Sequence, residues 1–494
     1  MQAASQAASQ AASQAASQAA SKTASQTLPQ QATPDDSSSV ASRNYRILWR
    51  WHFYAGLFVM PFLMVLAITG AIYVFKPQIE NFLYGDMLHV AAGGQPRLAY
   101  GKLLGIAAGA LPADAAPTSV SVSADPSRST EAVFRLPSGD STSVYLDPYS
   151  GRLLGTLSVE HRLMKQVRQI HRDLLLGRWG GWLMELAACW TLIMVGTGIA
   201  LWWPRKRFSI WGTLLPRLGL RGRAIWRELH LVAGIWVSIG ALFFILSGMP
   251  WSSFWGKNFQ AVVTWAGASQ PKVVAQAPPA HDMAAMDDMP SMKMQDLPLA
   301  NVPWAVGATP VPQSRRIPRQ ALDIDQAVEI AARNGMATYQ LALPGKSSGV
   351  FTASYAPGAG EFVRSDLDRQ RTLHIDQYSG NIVKDLRFAD YNPVSKLVTL
   401  GVALHMGEYF GLANQLLCAA VSLALLGMAV TGFVMWWLRR PQDSLGAPKR
   451  VSQPPPSIVR WKSYMALLGI IFPLMGASMI AVWLGDTLFF RKRA

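Results

Sequence analysis

The sequence predicts a membrane all-α bundle of about five transmembrane helices in duplicated two-helix units, carrying two small periplasmic α+β domains. Three observations predict it. Five stretches, at residues 53–75, 186–204, 229–256, 409–438 and 463–485, contain no Asp, Glu, Lys or Arg. Basic residues gather beside the ends of those stretches, and a set of landmarks recurs at fixed spacing in alternate ones. At 1.5 Å per residue each stretch crosses about 30 Å of hydrocarbon. Half of the 494 residues are apolar, 18 are Trp and only 15% are charged, which argues against a soluble chain.

Taken in order, residues 1–42 begin with a repeated Gln-Ala-Ala-Ser, too poor in bulky side chains to offset ordering entropy, and read as a disordered cytoplasmic tail. The tail has no apolar core of the kind a cleavable signal peptide needs, so the first span directs insertion. Residues 43–76 form that span, 77–170 a first outer domain, 171–204 the second span and 205–227 a basic loop. Residues 228–256 form the third span, 257–404 a second outer domain with a Met-rich insert at 281–294, and 405–438 the fourth span. A loop at 439–461 and a fifth helix at 462–487 follow.

The formal charge of +16 suggests nucleic acid only if the cations share one soluble patch, and they do not. Arg43, Arg46 and Arg50 precede the first span, Arg205, Lys206, Arg207, Arg217, Arg221, Arg223 and Arg227 separate the second and third, and Arg439, Arg440, Lys449, Arg450 and Arg460 separate the fourth and fifth. The positive-inside rule then places the N-terminus and both short loops in the cytoplasm, with the long loops facing out. Five crossings would leave Arg491, Lys492 and Arg493 outside, against the rule. Cys189 and Cys418 both fall within spans, so no disulfide framework or CxxC motif is available and redox chemistry would need a bound cofactor.

The duplication is the most informative feature, because duplicated membrane proteins place working sites where the copies correspond. His52 is followed by Ala55-Gly56 and Thr69-Gly70, and at the same offsets His230 is followed by Ala233-Gly234 and Ser247-Gly248. His171 precedes Thr197-Gly198 by 26 residues and Trp202-Trp203 by 31, as His405 precedes Thr431-Gly432 and Trp436-Trp437. Arg205 and Arg439 close the two motifs. The long loops repeat as well: Asp147-Pro148-Tyr149-Ser150-Gly151 and Asp376-Gln377-Tyr378-Ser379-Gly380 each read as a turn between two strands. Asp323 with Gln326 reads as a capping box before an apolar-periodic helix, so each outer domain is expected to be one helix and a short antiparallel sheet.

These hairpins, the His-x-x-x-Gly starts and the Thr-Gly, Trp-Trp exits resemble the PepSY-associated transmembrane family over residues 45 to about 440. The resemblance is strongest to iron-regulated membrane proteins and ferric-siderophore reductases. It implies haem-bearing spans, periplasmic PepSY domains and reduction of a ferric chelate.

Read from the residues, His52 and His230 each begin a span entering from one side, and His171 and His405 each precede a span entering from the other. Ionisable groups at such depths are costly and usually functional. Two neutral imidazoles from facing helices form the axial pair of a low-spin haem, so two haems, b-type by expectation, would lie one near each membrane face. Gly56 and Gly234 are expected to clear room for a flat macrocycle, as is Gly407; Arg50 and Arg172 are expected to pair with propionates, with Arg168 and Arg227 nearby. The resulting expectation is a di-haem oxidoreductase passing electrons from a cytoplasmic or membrane donor to a ferric-siderophore or cupric substrate. His89, His161 and His374 lie outside the matched positions and are read as surface or core residues.

His281, Met283, Met286, Met289, Met292 and Met294 form a second candidate site, because thioethers are soft donors that select Cu(I). The alternative function class is an iron or copper permease, or an accessory PepSY regulator without haem. Against the permease, the apolar stretches carry no Asp or Glu and few helix-breaking residues apart from Pro61, Pro250 and Pro473.

Overall fold

The computed structural model describes residues 36–204, 209–267, 292–314, 320–355, 367–442, 446 and 458–485. Four of its helices are long and apolar enough to cross a membrane, spanning Arg43–Tyr73, Gly177–Trp202, Arg223–Trp251 and Leu412–Trp437. The first belongs to α1 (Asp36–Tyr73), which runs through Pro61 and starts inside the stretch assigned to the disordered tail. The tail before Asp36 lies outside the described residues. After α1 come α2 (Lys76–Leu88) and α3 (Tyr100–Gly109), then strands β1 (Ala116–Val122), β2 (Thr130–Arg135), β3 (Ser141–Leu146) and β4 (Leu153–Ser158).

The second span does not begin at His171 as the sequence suggests. A separate helix α4 (Leu163–Asp173) carries His171 at its C-terminal end, and α5 (Gly177–Trp202) begins only after Leu174 and Leu175, both at positive φ, turn the chain. The buried carboxylate of Glu185 in α5 and Glu228 in α6 (Arg223–Gly248) correct the expectation of acid-free spans. Glu185 accepts hydrogen bonds from the backbone N–H groups of Phe254 (2.7 Å) and Trp255 (3.0 Å), which start α7 (Trp255–Trp265). Glu228 pairs with Arg217 at 2.8 Å.

The second half repeats the pattern with α8 (Trp304–Gly307), α9 (Ile324–Arg333), β5 (Tyr339–Ala342), β6 (Val350–Tyr355), β7 (Arg371–Asp376), β8 (Ile382–Arg387) and α10 (Pro393–His405). His405 ends α10, and the turn through Gly407 and Gly411, at φ 76° and 59°, leads into α11 (Leu412–Trp437). The fourth span thus also starts after its histidine, not at it.

The fifth expected span is two helices. Pro473 lacks an N–H and cannot continue the ladder, and α12 (Ile458–Ile471) and α13 (Pro473–Gly485) meet there. At 14 and 13 residues each rises about 20 Å, short of the hydrocarbon thickness. They fold back as a hairpin: a Cβ added at Gly476 would stand 2.5 Å from the carbonyl oxygen of Gly469. Trp255 Nε1 donates to the Ile471 carbonyl (2.8 Å) and Trp190 Nε1 to Ser478 Oγ (3.0 Å). Met465, Leu468, Phe472 and Met475 of this hairpin pack with Ala55, Cys189 and Trp190.

The two outer units share one sheet, in the order β4-β3-β2-β1-β5-β6-β7-β8, all neighbours antiparallel. The joint is β1 with β5, Ser119 opposite Ala342 through Val122 opposite Tyr339. Alternation along the strands sends Val120, Phe134, Val144, Leu341, Phe351, Leu373 and Ile375 to one face, where Leu103 and Ala107 of α3 and Ile324, Ala327 and Ala331 of α9 cover them. Asp325 ties the units further by accepting from the N–H groups of Tyr100 (2.6 Å) and Gly101 (3.0 Å) at the start of α3. The Asp-x-Tyr-Ser-Gly turns form as expected: Asp147 and Asp376 accept from the N–H two residues on, at 2.9 Å in both, and Gly151 and Gly380 take φ of 74° and 73°.

Candidate functional site

Each two-helix unit holds its own two histidines through hydroxyls that the other helix of the unit supplies. Thr197 of α5 binds Nδ1 of His52 on α1 at 3.0 Å, and Thr69 of α1 binds Nδ1 of His171 at 2.9 Å. In the second unit Thr431 of α11 binds Nδ1 of His230 on α6, and Ser247 of α6 binds Nδ1 of His405, both at 2.9 Å. A glycine follows every one of these hydroxyl residues. A Cβ at Gly198, Gly70, Gly432 or Gly248 would stand 3.2, 3.5, 3.4 or 3.3 Å from Cε1 of the same imidazole, so the bare backbone admits the ring and the preceding hydroxyl fixes it.

These hydroxyls also favour one tautomer. Thr197 donates its proton to the Ile193 carbonyl and Thr69 to that of Val65, both at 2.6 Å. Ser247 donates to Phe243 at 2.6 Å and Thr431 to Met428 at 3.1 Å. A hydroxyl has one proton to give, and with that proton committed its oxygen must accept from the ring. This arrangement suits the tautomer that carries its proton on Nδ1 and leaves the lone pair on Nε2.

Those rings meet across the two units. His52 and His230 have centroids 6.3 Å apart at an interplanar angle of 85°, and His171 and His405 have centroids 6.5 Å apart at 88°. Two metal–nitrogen bonds of about 2 Å each, plus about 1 Å from nitrogen to ring centre on either side, give about 6 Å, so both pairs have the spacing of axial ligands to one iron. Among the described residues no group of three or more His, Cys, Asp or Glu side chains is gathered to hold a bare ion. Two nitrogens with lone pairs suit a metal whose other positions a macrocycle fills. The pairs lie at two levels of α1, one at its middle and one near its C-terminal end: His52 to Thr69 is 17 residues, a rise of about 25 Å.

The other expected residues divide. Gly56 and Gly234 face the methyl groups of Met194 and Met428, where a Cβ would stand 3.7 and 3.2 Å away, so they admit a methionine from the neighbouring helix. Gly407 serves its left-handed turn, and a Cβ there would meet Gln415 at 3.2 Å, not His405. Arg50 stacks on the Tyr54 ring at 5.4 Å. Arg172 is exposed beside His171, with Arg168 and Asp173 as its charged neighbours. Met294 is wholly buried among Ala305, Val306, Leu386 and Tyr391, which closes its sulfur to copper. Met292 is 48% exposed, and His281, Met283, Met286 and Met289 lie outside the described residues.

Sequence reasoning missed the role of Thr69, Thr197, Ser247 and Thr431, which it used only as landmarks of the repeat. The signal was present: a hydroxyl followed by glycine, four times, at fixed distance from a histidine. A protein-family model described as PepSY-associated TM region matches residues 49–439, which include all four histidines and all four hydroxyls. No curated protein matches the chain.

Proposed function

The chain belongs to the PepSY-associated TM region family, and from that premise we propose that it is a di-haem oxidoreductase carrying electrons through the bilayer to a ferric or cupric chelate on the side of the sheet. One observation carries this reading: four imidazoles, each with Nδ1 on a hydroxyl of a neighbouring helix, meet as two pairs with ring centroids 6.3 and 6.5 Å apart near opposite ends of the bundle. His52 and His230 would hold one haem, His171 and His405 the other. Iron bound by two imidazoles changes oxidation state without an open coordination position, and so supplies one-electron transfer.

The chain's own contribution is positional. Each Nδ1–H bond to a hydroxyl sets ring orientation, and such partners of a ligand typically matter 10–100-fold to metal affinity. Each site takes one histidine from either unit, so both sites sit at the interface between the copies, where duplicated membrane proteins place their function. The substrate would be a hard-oxygen-donor complex of Fe(III), whose ligands loosen on reduction, or Cu(II); the donor would act in the membrane or at its inner face. The expected location is the bacterial inner membrane with the sheet in the periplasm. The permease reading gains nothing from Glu185, because two backbone N–H groups occupy its carboxylate.

The absorption spectrum of the purified protein tests the proposal. Reduced bands should correspond to two haems per chain. His52→Ala or His230→Ala should each remove one set and His171→Ala or His405→Ala the other. A colourless protein overturns the reading and leaves the permease or regulator.

A further inference from the structure

Helix α4 brings one histidine to the sheet-side site, and a line of cations runs beside it. Met164, Val167 and His171 share one face at i, i+3 and i+7, with Met164 and Val167 buried. Lys165, Arg168 and Arg172 repeat that spacing one residue on, about 100° around the helix. Arg172 is exposed and the other two are half-buried.

Among the described residues no carboxylate forms an ion pair with this stripe; Glu160 lies near Lys165 and Asp173 near Arg172, each held by a backbone N–H. Glu131 is paired with Arg162 at 2.6 Å and Glu80 with Lys76 at 2.7 Å. Glu160 accepts from the Ser141 N–H at 3.1 Å and Asp173 from the Leu175 N–H at 3.0 Å. Among the described residues neither forms an ion pair with Lys165, Arg168 or Arg172. Burial, then Arg168, with Arg172 and Arg162 adding to it, holds the Lys165 ammonium below its usual range in spite of the nearby Glu160, the mark of cations that outnumber their counter-charge. The positive-inside rule does not account for cations at this end of the bundle, where α4 leads in from the sheet.

We infer that Lys165, Arg168 and Arg172 form a docking stripe for a polyanionic metal chelate, so that the substrate class is a negatively charged oxygen-donor complex, of catecholate or carboxylate type, in preference to a neutral or cationic one. This rests on the sheet-side pair being the exit point for electrons. A reduced haem held by His171 and His405 would supply the single electron that takes the docked complex from Fe(III) to Fe(II), the haem iron being oxidised in turn. An excess of cations beside a redox site raises the local concentration of an anion and its rate of arrival by about 10-fold to 10³-fold, an effect that salt suppresses.

The shared chemistry of the ligand is an anionic oxygen, which the carboxylates of haem itself also present, and the test separates the two. Protein reduced with dithionite is mixed with the trianionic tris-catecholate complex of Fe(III) and, separately, with a cationic tris-hydroxamate complex. Lys165→Gln/Arg168→Gln, sparing the arginine next to the ligand, should slow reoxidation by the anion about tenfold at low salt. It should leave the cation's rate unchanged or faster and keep both sets of haem bands. Binding of the redox-inert Ga(III) tris-catecholate should weaken by a similar factor, and this arm stands even if the protein proves colourless. Equal responses to the two charges, or unchanged Ga(III) binding, overturn the inference. Loss of the sheet-side haem bands overturns it as well, assigning the cations to the cofactor.

Discussion

At the residue scale the hydroxyl–glycine pairs decide how firmly each imidazole is aimed. Thr197→Val keeps the shape and removes the hydroxyl that fixes Nδ1 of His52, leaving the Met194 carbonyl as the ring's remaining partner, at a cost of about 0.5–1.5 kcal/mol for the lost hydrogen bond. Thr197→Ser restores the acceptor. The valine variant should therefore lose haem from the His52 and His230 site on dilution and shift its midpoint potential, while the serine variant behaves as wild type, as Ser247 does naturally opposite His405. Equal occupancy and potential in all three proteins would make the hydroxyl incidental. His374 makes a second residue-scale test, away from the membrane. Its Nδ1 meets Thr352 Oγ1 at 3.0 Å, and burial, then the nearby Lys384, push its pKa from 6.5 down to about 3. Between those values the unfolded chain binds the extra proton, so the stability this ring contributes is complete above pH 6.5 and is lost as pH falls toward 3. Thermal unfolding at pH 7 and pH 4 should show a smaller acid loss in His374→Gln than in wild type. The histidines were legible in the sequence because the repeat aligned them. Their hydroxyl partners were not, because each holds the histidine of the other helix, a relation that linear spacing within one span does not expose.

At the element scale, hydropathy located the spans but could not divide them. A run of apolar residues looks alike whether it is one helix or two, and what divides the fifth stretch is a missing N–H at Pro473 together with the contact of Gly469 and Gly476. Gly476→Val places side-chain carbon against a backbone carbonyl that has no flexible end to yield. Overpacking of this kind costs about 1–3 kcal/mol, and the thermal midpoint should fall. Gly427→Ala on α11, with nothing within 4 Å, should not lower it. If both variants unfold at the wild-type temperature, the arms are not packed as described. The opposite error occurred at His171 and His405, where a helix end was taken for the start of a span. Leu174 and Leu175 at positive φ carry no turn signature, so α4 was invisible as a separate element.

At the scale of the whole molecule, duplication predicted two outer units but not that they would share a sheet. Strand alternation fixes which face is apolar and says nothing about which edge finds a partner. The pairing of β1 with β5 puts the joint of the sheet at the centre of its strand order, as the paired histidines sit where the two helical units meet. The hairpin sets the direction of the last described segment. Glu185 marks the level of Trp255, whose indole reaches Ile471, and Trp190 lies five residues farther along α5 toward Trp202, where its indole reaches Ser478. From Ile471 to Ser478 the chain thus travels back toward the end of α5 that lies beside His52 near the start of α1. Four crossings followed by a return put Gly485 on the side where α1 begins. A reporter that fluoresces only in the cytoplasm and a phosphatase active only outside it should give one answer at both ends of the chain and the reverse answer when inserted before β5. Opposite answers at the two ends would restore the fifth crossing and remove the hairpin.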